Sequence, residues 1–511
     1  MFHADLQSDR HLNARIMTPG QLASCTSAAG ATPSQRIPLS AHSAPSRQLS
    51  SLDVLLLDAE SPTMLLHVGS VTLLEPTTGG GALDVTTLRR LIASRLHLIA
   101  PLRWRLHTVP LGLDLPYWDD SDTIDLGYHV RDTRLPEGST DEALAELAAR
   151  LHAQPLDRSR PLWECHLISG LAGGRQAIYT KVHHALIDGV SGAEVMAAVF
   201  DIVPESQPVP PPTDGLRLAR TPNPAEILGR GIAHTMTRQA DRARLPLRLG
   251  PMLPNALTDM RKANPTLPGN GPNGTERSFA FVSVSLDAVK QVKNSFGGTV
   301  NDVVMTLCTS AFRRWLLAHD APADDPAVAA IPVSVRTPEQ LGTAGNQFSI
   351  MLCELPIGES DPQHRMKLTH AAMLAAKDRF QATPPALLHY ATAALPQILH
   401  GLATRLLLRV AAPALPVANM VVSNVPGPQI PLYAGGIQVA GSYPISVLTD
   451  LSGPLNITVM SYNGHLDFGI LACTDTIPDV WNIATYLQEA LTELVGAPVG
   501  SEGCQAVGAL R

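Results

Sequence analysis

The sequence predicts an α/β protein built as two lobes. Three observations lead there. The chain has 511 residues, more than one hydrophobic core usually supports, so at least two folding units are expected. Strand-like and helix-like periodicities interleave in both halves. A proline-rich stretch containing ESQPVPPPTDG and TPNP (204–224), followed by PGNGPNG (268–274), separates those halves and cannot hold a regular element.

The elements follow in order. Residues 1–48 are rich in Ser, Ala, Thr and Pro without a sustained period, so a disordered leader is expected. Asp5, Asp9 and Arg10 interrupt any apolar stretch of a signal peptide. Order is expected from LSSLDVLLLDAE (49–60), with Leu52, Val54, Leu55 and Leu56 inward. LHVGSVTLLE (66–75) has strand character, LDVTTLRRLIASRLHLI (83–99) and TDEALAELAARLHA (140–153) read as helices, and RQAIYTKVHH (175–184) as a strand. Residues 49–203 thus form a first lobe. The linker, 204–275, carries a basic helical segment: between 216 and 262, eight arginines and Lys262 face only Glu226, Asp241 and Asp259. A second lobe, 276–500, begins with the strand SFAFVSVSL and the helices LDAVKQVKNSF and VNDVVMTLCTSAFRRWLLAH. Strands then recur at AAIPVSV, FSIMLCEL, NMVVSNV, LNITVMSY and HLDFGILA, before a tail at 501–511.

Composition excludes several classes. With 45% hydrophobic and 16% charged residues, the chain is globular and apolar-leaning rather than disordered. A net charge of −7 gives no basic field for nucleic acid. Cys25, Cys165, Cys308, Cys353, Cys473 and Cys504 are scattered, so neither a disulfide framework nor a metal site is expected, and a reducing cytoplasm is the simplest compartment. The uncharged run between Arg379 and Arg405 holds His389, Pro396, Gln397 and His400. It reads as a buried or interfacial helical segment rather than a membrane span.

Chemistry concentrates in KVHHALIDGVSG (181–192). Strand alternation puts Ile178, Thr180, Val182 and His184 on one face and Tyr179, Lys181 and His183 on the other, so the two histidines have different roles. Ser191 and Glu194 form an S-x-x-E capping box that opens a helix, and Gly189 suits a tight turn. A neutral imidazole at the end of a strand can remove a proton from a hydroxyl or thiol, a contribution of about 10²–10⁴ in rate. The competing reading is a pair of histidines satisfied within a turn. Adjacent strand histidines diverge, which argues against a metal site.

HHxxxDG, here His183, His184, Asp188 and Gly189, is the signature of acyltransferases that share the chloramphenicol acetyltransferase and condensation-domain fold. The chain resembles the bacterial wax ester synthase/diacylglycerol acyltransferase family. The resemblance runs through MLLHVGSV (64–71), DLGYHVRDTRLPEG (125–138), PLDRSRPLWECHLI (155–168), TVNDVVMTL (299–307), PVSVRTPEQLGTAGNQ (332–347), VVSNVPGPQIPLYAGG (421–436) and LNITVMSYNGHLDFGILACTD (455–475). It implies two lobes, each a mixed sheet flanked by helices, with a central tunnel. It also implies acyl-CoA as substrate, with no resident cofactor, and diacylglycerol or a fatty alcohol as acceptor. His184 would be the general base and Asp188 a holder of the loop, with Arg336 its expected partner. Asn301 and Asp302 match the family's ND motif; Asn301 is expected either as an oxyanion donor or as a helix N-cap. Ser191 is expected to line the same site. Leu162 and Trp163, of the PLW block, either pack the core or shape the alcohol pocket. Association with the inner face of the membrane or with lipid inclusions, through 216–262, is expected. The alternatives are a non-catalytic lipid-binding paralogue and a transferase of the same fold with another acceptor.

Overall fold

A computed structural model describes residues 36–38, 41–44, 47–76, 81–110, 114–121, 123–187, 195–205, 209–210, 216–219, 222–233, 267, 272–336, 346–382 and 417–496. In chain order its main strands are β1 (His67–Leu74), β2 (Val130–Ser139), β3 (Trp163–Leu171), β4 (Gln176–His183), β5 (Arg277–Ser285), β6 (Ala327–Ser334), β7 (Phe348–Leu355), β8 (Met420–Val425), β9 (Ile437–Ile445), β10 (Leu455–Tyr462) and β11 (His465–Cys473). The main helices are α1 (Ser51–Ala59), α2 (Val85–Arg95), α3 (Asp141–His152), α4 (Leu286–Phe296), α5 (Val300–Ala318), α6 (Pro362–Ala382) and α7 (Val480–Gly496).

These strands build two six-stranded sheets. The first runs from Tyr433–Ala434 through β9, β1, β4 and β3 to β2; the second runs β5, β11, β10, β8, β6, β7. Both are mixed. β2 pairs with β3 in parallel while β1 and β3 flank β4 antiparallel. In the second sheet β8 pairs in parallel with β6 and β10, and the edges are antiparallel. The fold is therefore α/β with two sheet-containing lobes, as the sequence predicts.

Local signals explain the helix boundaries. Ser50 and Asp53 form a capping box on α1, and Thr299 and Asp302 do the same for α5, each satisfying backbone N–H groups that the first helical turn leaves unpaired. Thr140 caps α3, Ser285 caps α4, and Gly297 ends α4 with φ 72°, a left-handed conformation that glycine adopts without steric cost. Asn301 is therefore not the N-cap; Thr299 is, and Asn301 lies inside the first turn.

In the second lobe α6 packs against β7 and α7 against β5 and β11, with α5 between the two helices, around Val303, Leu307, Leu316, Ile457, Phe468, Ile483 and Leu487, all nearly inaccessible. A separate cluster joins the lobes: Leu144, Ala145 and Ala148 of α3 meet Phe279 and Phe281 of β5 and Tyr443 and Ile445 of β9.

Two features depart from the sequence expectation. Short strands at Arg36–Pro38, Ala41–Ala44 and Arg47–Gln48 pair with Thr123–Asp125, Leu216–Ala219 and 117–118. Backbone pairing thus starts within the expected leader rather than near Leu49, because these partners sit far away in sequence. β9, from the second half of the chain, completes the sheet of the first by pairing with β1. It passes so close to β11 that a Cβ on Gly469 would lie 1.7 Å from the Pro444 carbonyl oxygen; only glycine fits. α6, α7 and β9 have no counterpart among the expected elements.

Residues 234–266, most of the basic segment, and the apolar run 386–410 lie outside the described residues. Among the described residues no helix is long and apolar enough to cross a membrane.

Candidate active site

β4 sits inside the first sheet, and its alternation is the one the sequence predicts. Ile178 and Val182 join the apolar cluster of the first lobe, which also holds Leu88 and Ile92 of α2. Tyr179, Lys181 and His183 enter a buried polar layer facing α3. There Lys181 donates to the Leu151 and Gln154 carbonyls at 2.9 and 3.0 Å and pairs with Glu164 at 3.3 Å. The Tyr179 hydroxyl lies 3.1 Å from His152 Nδ1.

His183 belongs to this layer. It is 1% exposed, and the Ala185 N–H donates to its Nδ1 at 3.1 Å. Nδ1 is therefore the bare nitrogen and Nε2 carries the hydrogen, 3.9 Å from Glu60. Burial depresses the imidazole to about 3, against the opposing pull of Glu60. His183 is thus a buried, neutral imidazole within this polar layer.

His184 is the first residue past β4. Its N–H donates to the Leu66 carbonyl at 2.8 Å, and the His183 N–H donates to Leu162 at 2.9 Å, so the strand end is pinned from both sides. The ring is half-buried beside Phe348, with ring centres 5.6 Å apart. Its Nδ1 lies 3.0 Å from Asn346 Oδ1, and Asn346 Nδ2 donates to the His184 carbonyl at 2.7 Å and to Asp53 Oδ1 at 2.8 Å. Among the described residues no hydrogen bond engages Nε2. The His184 imidazole, from the first lobe, is thus held by a residue from the second, at the head of β7, and by α1.

Asp188, Gly189 and Ser191 lie outside the described residues. Arg336 is described, half-buried just past β6, with its N–H 3.4 Å from Ser334 Oγ. Asn301 Oδ1 accepts from Asn424 Nδ2 at 3.5 Å, which brings the ND motif beside the SNVPGP strand. Asp302 accepts from Thr299 N and Oγ1, both at 2.8 Å, and meets His370 Nδ1 at 2.9 Å. Its Oδ2 caps α5, while its buried Oδ1 has no partner among the described residues. No described contact joins either residue to His184.

Leu162 and Trp163 are 0% and 3% exposed in the first lobe's core. Trp163 Nε1 donates to the Leu102 carbonyl at 2.8 Å and the indole stacks on His129 at 4.4 Å. Both side chains pack within that core. Asn346 and Asp53 are the site residues that sequence reasoning missed. Asn346 stands in the resemblance block at 332–347, and Ser50-x-x-Asp53 is a legible capping signal. Nothing local announces that they meet across 293 positions.

A family model described as the wax ester synthase/diacylglycerol acyltransferase catalytic domain matches residues 49–304, and the C-terminal domain of the same family matches 344–495. The chain belongs to this family. It is 35% identical over 476 residues to a Mycobacterium tuberculosis protein named as a diacylglycerol O-acyltransferase, covering 90% of this chain and 92% of that one. A second such protein from that species is 38% identical over 475 residues, 87% of this chain and 99% of the relative. The solved wax ester synthase/diacylglycerol acyltransferase from Marinobacter aquaeolei VT8 superposes with a TM-score of 0.63 at 30% identity, over 88% of this chain and 98% of that structure. The first condensation domain of the CDA synthetase, at 18% identity and TM-score 0.52 over 89% and 98% of the two chains, shares the fold.

Proposed function

We propose that this chain is an acyl-CoA-dependent O-acyltransferase that transfers a long-chain acyl group to diacylglycerol, and to fatty alcohols as well. The observation that carries this reading is His184: half-buried at the meeting of the two halves, anchored through Nδ1, with Nε2 left for chemistry. Family membership and the names of the relatives support the acyl donor and the lipid acceptor.

In this mechanism Nε2 accepts the hydroxyl proton as the acceptor oxygen bonds to the thioester carbon. The carbonyl becomes an oxyanion, for which Asn301 is the proposed donor. The tetrahedral intermediate then expels the CoA thiolate, and His184 returns its proton to the sulfur. Bonds and protons balance without an acyl-enzyme, and acyl-CoA is a substrate rather than a resident cofactor. Acyl-CoA and alcohol are proposed to enter from opposite ends of a tunnel between the lobes. Asp188 is proposed to hold the loop through Arg336, with Gly189 and Ser191 shaping it.

Lipid acceptors require access to a bilayer or inclusion surface, and the proposed contact is 216–262 on the cytoplasmic side. The helix at 224–233 exposes Leu228 and Ile232, 49% and 57% accessible and one turn apart, and the arginines from 238 onward follow it. The test is CoA release from a long-chain acyl-CoA with either alcohol class; no release with any hydrophobic alcohol refutes the reading. Flotation with anionic liposomes should weaken when Arg238, Arg242, Arg244 and Arg248 are neutralised, and unchanged flotation removes this segment as the contact.

A further inference from the structure

We propose that Asn346, backed by Asp53, is the positioning residue that fixes the tautomer of His184, so that the base is set by the lobe that does not carry it. The inference rests on the reading of His184 as the base and deepens it.

The hydrogen-bond inventory around the Asn346 amide allows one orientation. Its Nδ2 lies 2.7 Å from the His184 carbonyl oxygen and 2.8 Å from Asp53 Oδ1. Both of these are acceptors, and only the NH₂ end can serve both at once. Turning the amide over would press its oxygen against a carbonyl and a carboxylate. The carbonyl end is therefore the one that meets His184 Nδ1 at 3.0 Å. A carbonyl oxygen only accepts, so Nδ1 carries the hydrogen, and the lone pair of a neutral ring stands on Nε2. The mirror case sits one residue away, where the Ala185 N–H forces His183 into the opposite tautomer.

The amide is itself immobilised. Asn346 and Asp53 are 4% and 3% exposed. The Asn346 backbone N–H donates to the same Asp53 Oδ1 at 3.2 Å, while Asp53 Oδ2 accepts from Ser50 N and Oγ at 3.2 and 2.7 Å. Asp53 thus fixes the amide with one oxygen and caps α1 with the other. As Nε2 takes up the acceptor's proton the ring becomes a cation, and the Nδ1–H···O=C bond strengthens toward it. No proton passes to Asp53, because a neutral amide stands between. Among the described residues, the titratable groups facing His184 are the neutral His183 beside it and Asp53 behind the amide.

Two measurements test this. Nitrogen-15 NMR of histidine-labelled protein, with the His184 signal assigned by its loss in His184→Ala, should report hydrogen on Nδ1 of the neutral ring. Hydrogen on Nε2 overturns the proposal without any recourse to activity. Asn346→Ala should then lower kcat by about 10- to 100-fold, part of what the base supplies, with KM for both substrates little changed. Ser285→Ala, which removes the cap of α4 in the second lobe, controls for lost stability and should leave kcat unchanged. An Asn346→Ala enzyme with kcat within twofold of wild type, or with loss confined to KM, overturns the proposal. Wild-type protein that releases no CoA refutes the enzymatic reading instead, and the tautomer measurement remains a separate result.

Discussion

His183 and His184 are neighbours in sequence and opposites in environment. His183 lies under the first sheet among Tyr179, Lys181, His152 and Glu60, where burial holds it neutral down to a pH of about 3. His184 has just left the strand, is half-buried, and is tied by Nδ1 to the other half of the chain. The residue type is the same; one carbonyl acceptor and one backbone donor give the two rings opposite tautomers. The difference teaches that a histidine's chemistry is set by which of its nitrogens the surrounding backbone and amides claim.

The sharpest way to break this comparison is His184→Ala. It should cut kcat for acyl transfer by about 10²–10⁴, the contribution of a general base, while the thermal unfolding midpoint stays near wild type. CoA thiol release measures the first and calorimetry the second. Full retained activity refutes the base assignment.

His183→Asn should do the reverse, lowering stability by about 2–4 kcal/mol while the folded fraction keeps most of its kcat. The same variant carries a pH signature. A ring titrating at about 3 when folded and near 6.5 when unfolded leaves the unfolded state with more protons between those values. Stability is therefore intact above pH ~6.5 and is lost as pH falls, by about 1.4 kcal/mol per unit for this one group. His129, which burial lowers to about 4, contributes with the same sign. Asp467, which burial raises to about 6, works the other way between pH ~6 and its ordinary carboxylate range. Urea midpoints of His183→Asn and wild type, measured from pH 7 to 5, should converge as pH falls. Parallel curves would mean that His183 does not titrate as described.

A smaller effect is expected at Trp163. Trp163→Phe leaves the Leu102 carbonyl without its indole donor and should cost about 1–3 kcal/mol of stability, with the alcohol preference unchanged. A shifted alcohol profile would return Trp163 to the acceptor pocket.

Much of this was legible in the sequence because it is local. The period-2 pattern of β4 separates the two histidines, and the apolar runs of β5, β8, β10 and β11 mark a second lobe. The resemblance blocks identify the family. What was not legible is long-range pairing. Asn301 looks like a cap in sequence, but Thr299 takes that place because its hydroxyl and Asp302 complete the reciprocal box. The short strands at 36–48 find partners some 70 to 180 positions away, which local periodicity cannot report. Asn346 carries no motif of its own; its meaning comes from Asp53 and His184, which only the folded chain brings within reach.

β9 has a consequence for how the protein is made. The sheet that carries His184 has β1 at its centre, and one side of β1 is filled by a strand ending at Ile445. When the ribosome releases His183, that side still lacks its partner. At about 5–20 residues per second, β9 follows only after tens of seconds of synthesis, during which β1 presents unpaired backbone to the cell. β4 is therefore translated well before the strand that completes its sheet. For this chain, chaperone dependence during synthesis should track the length of that interval, and nonsense truncations anywhere before β9 should abolish both lobes together.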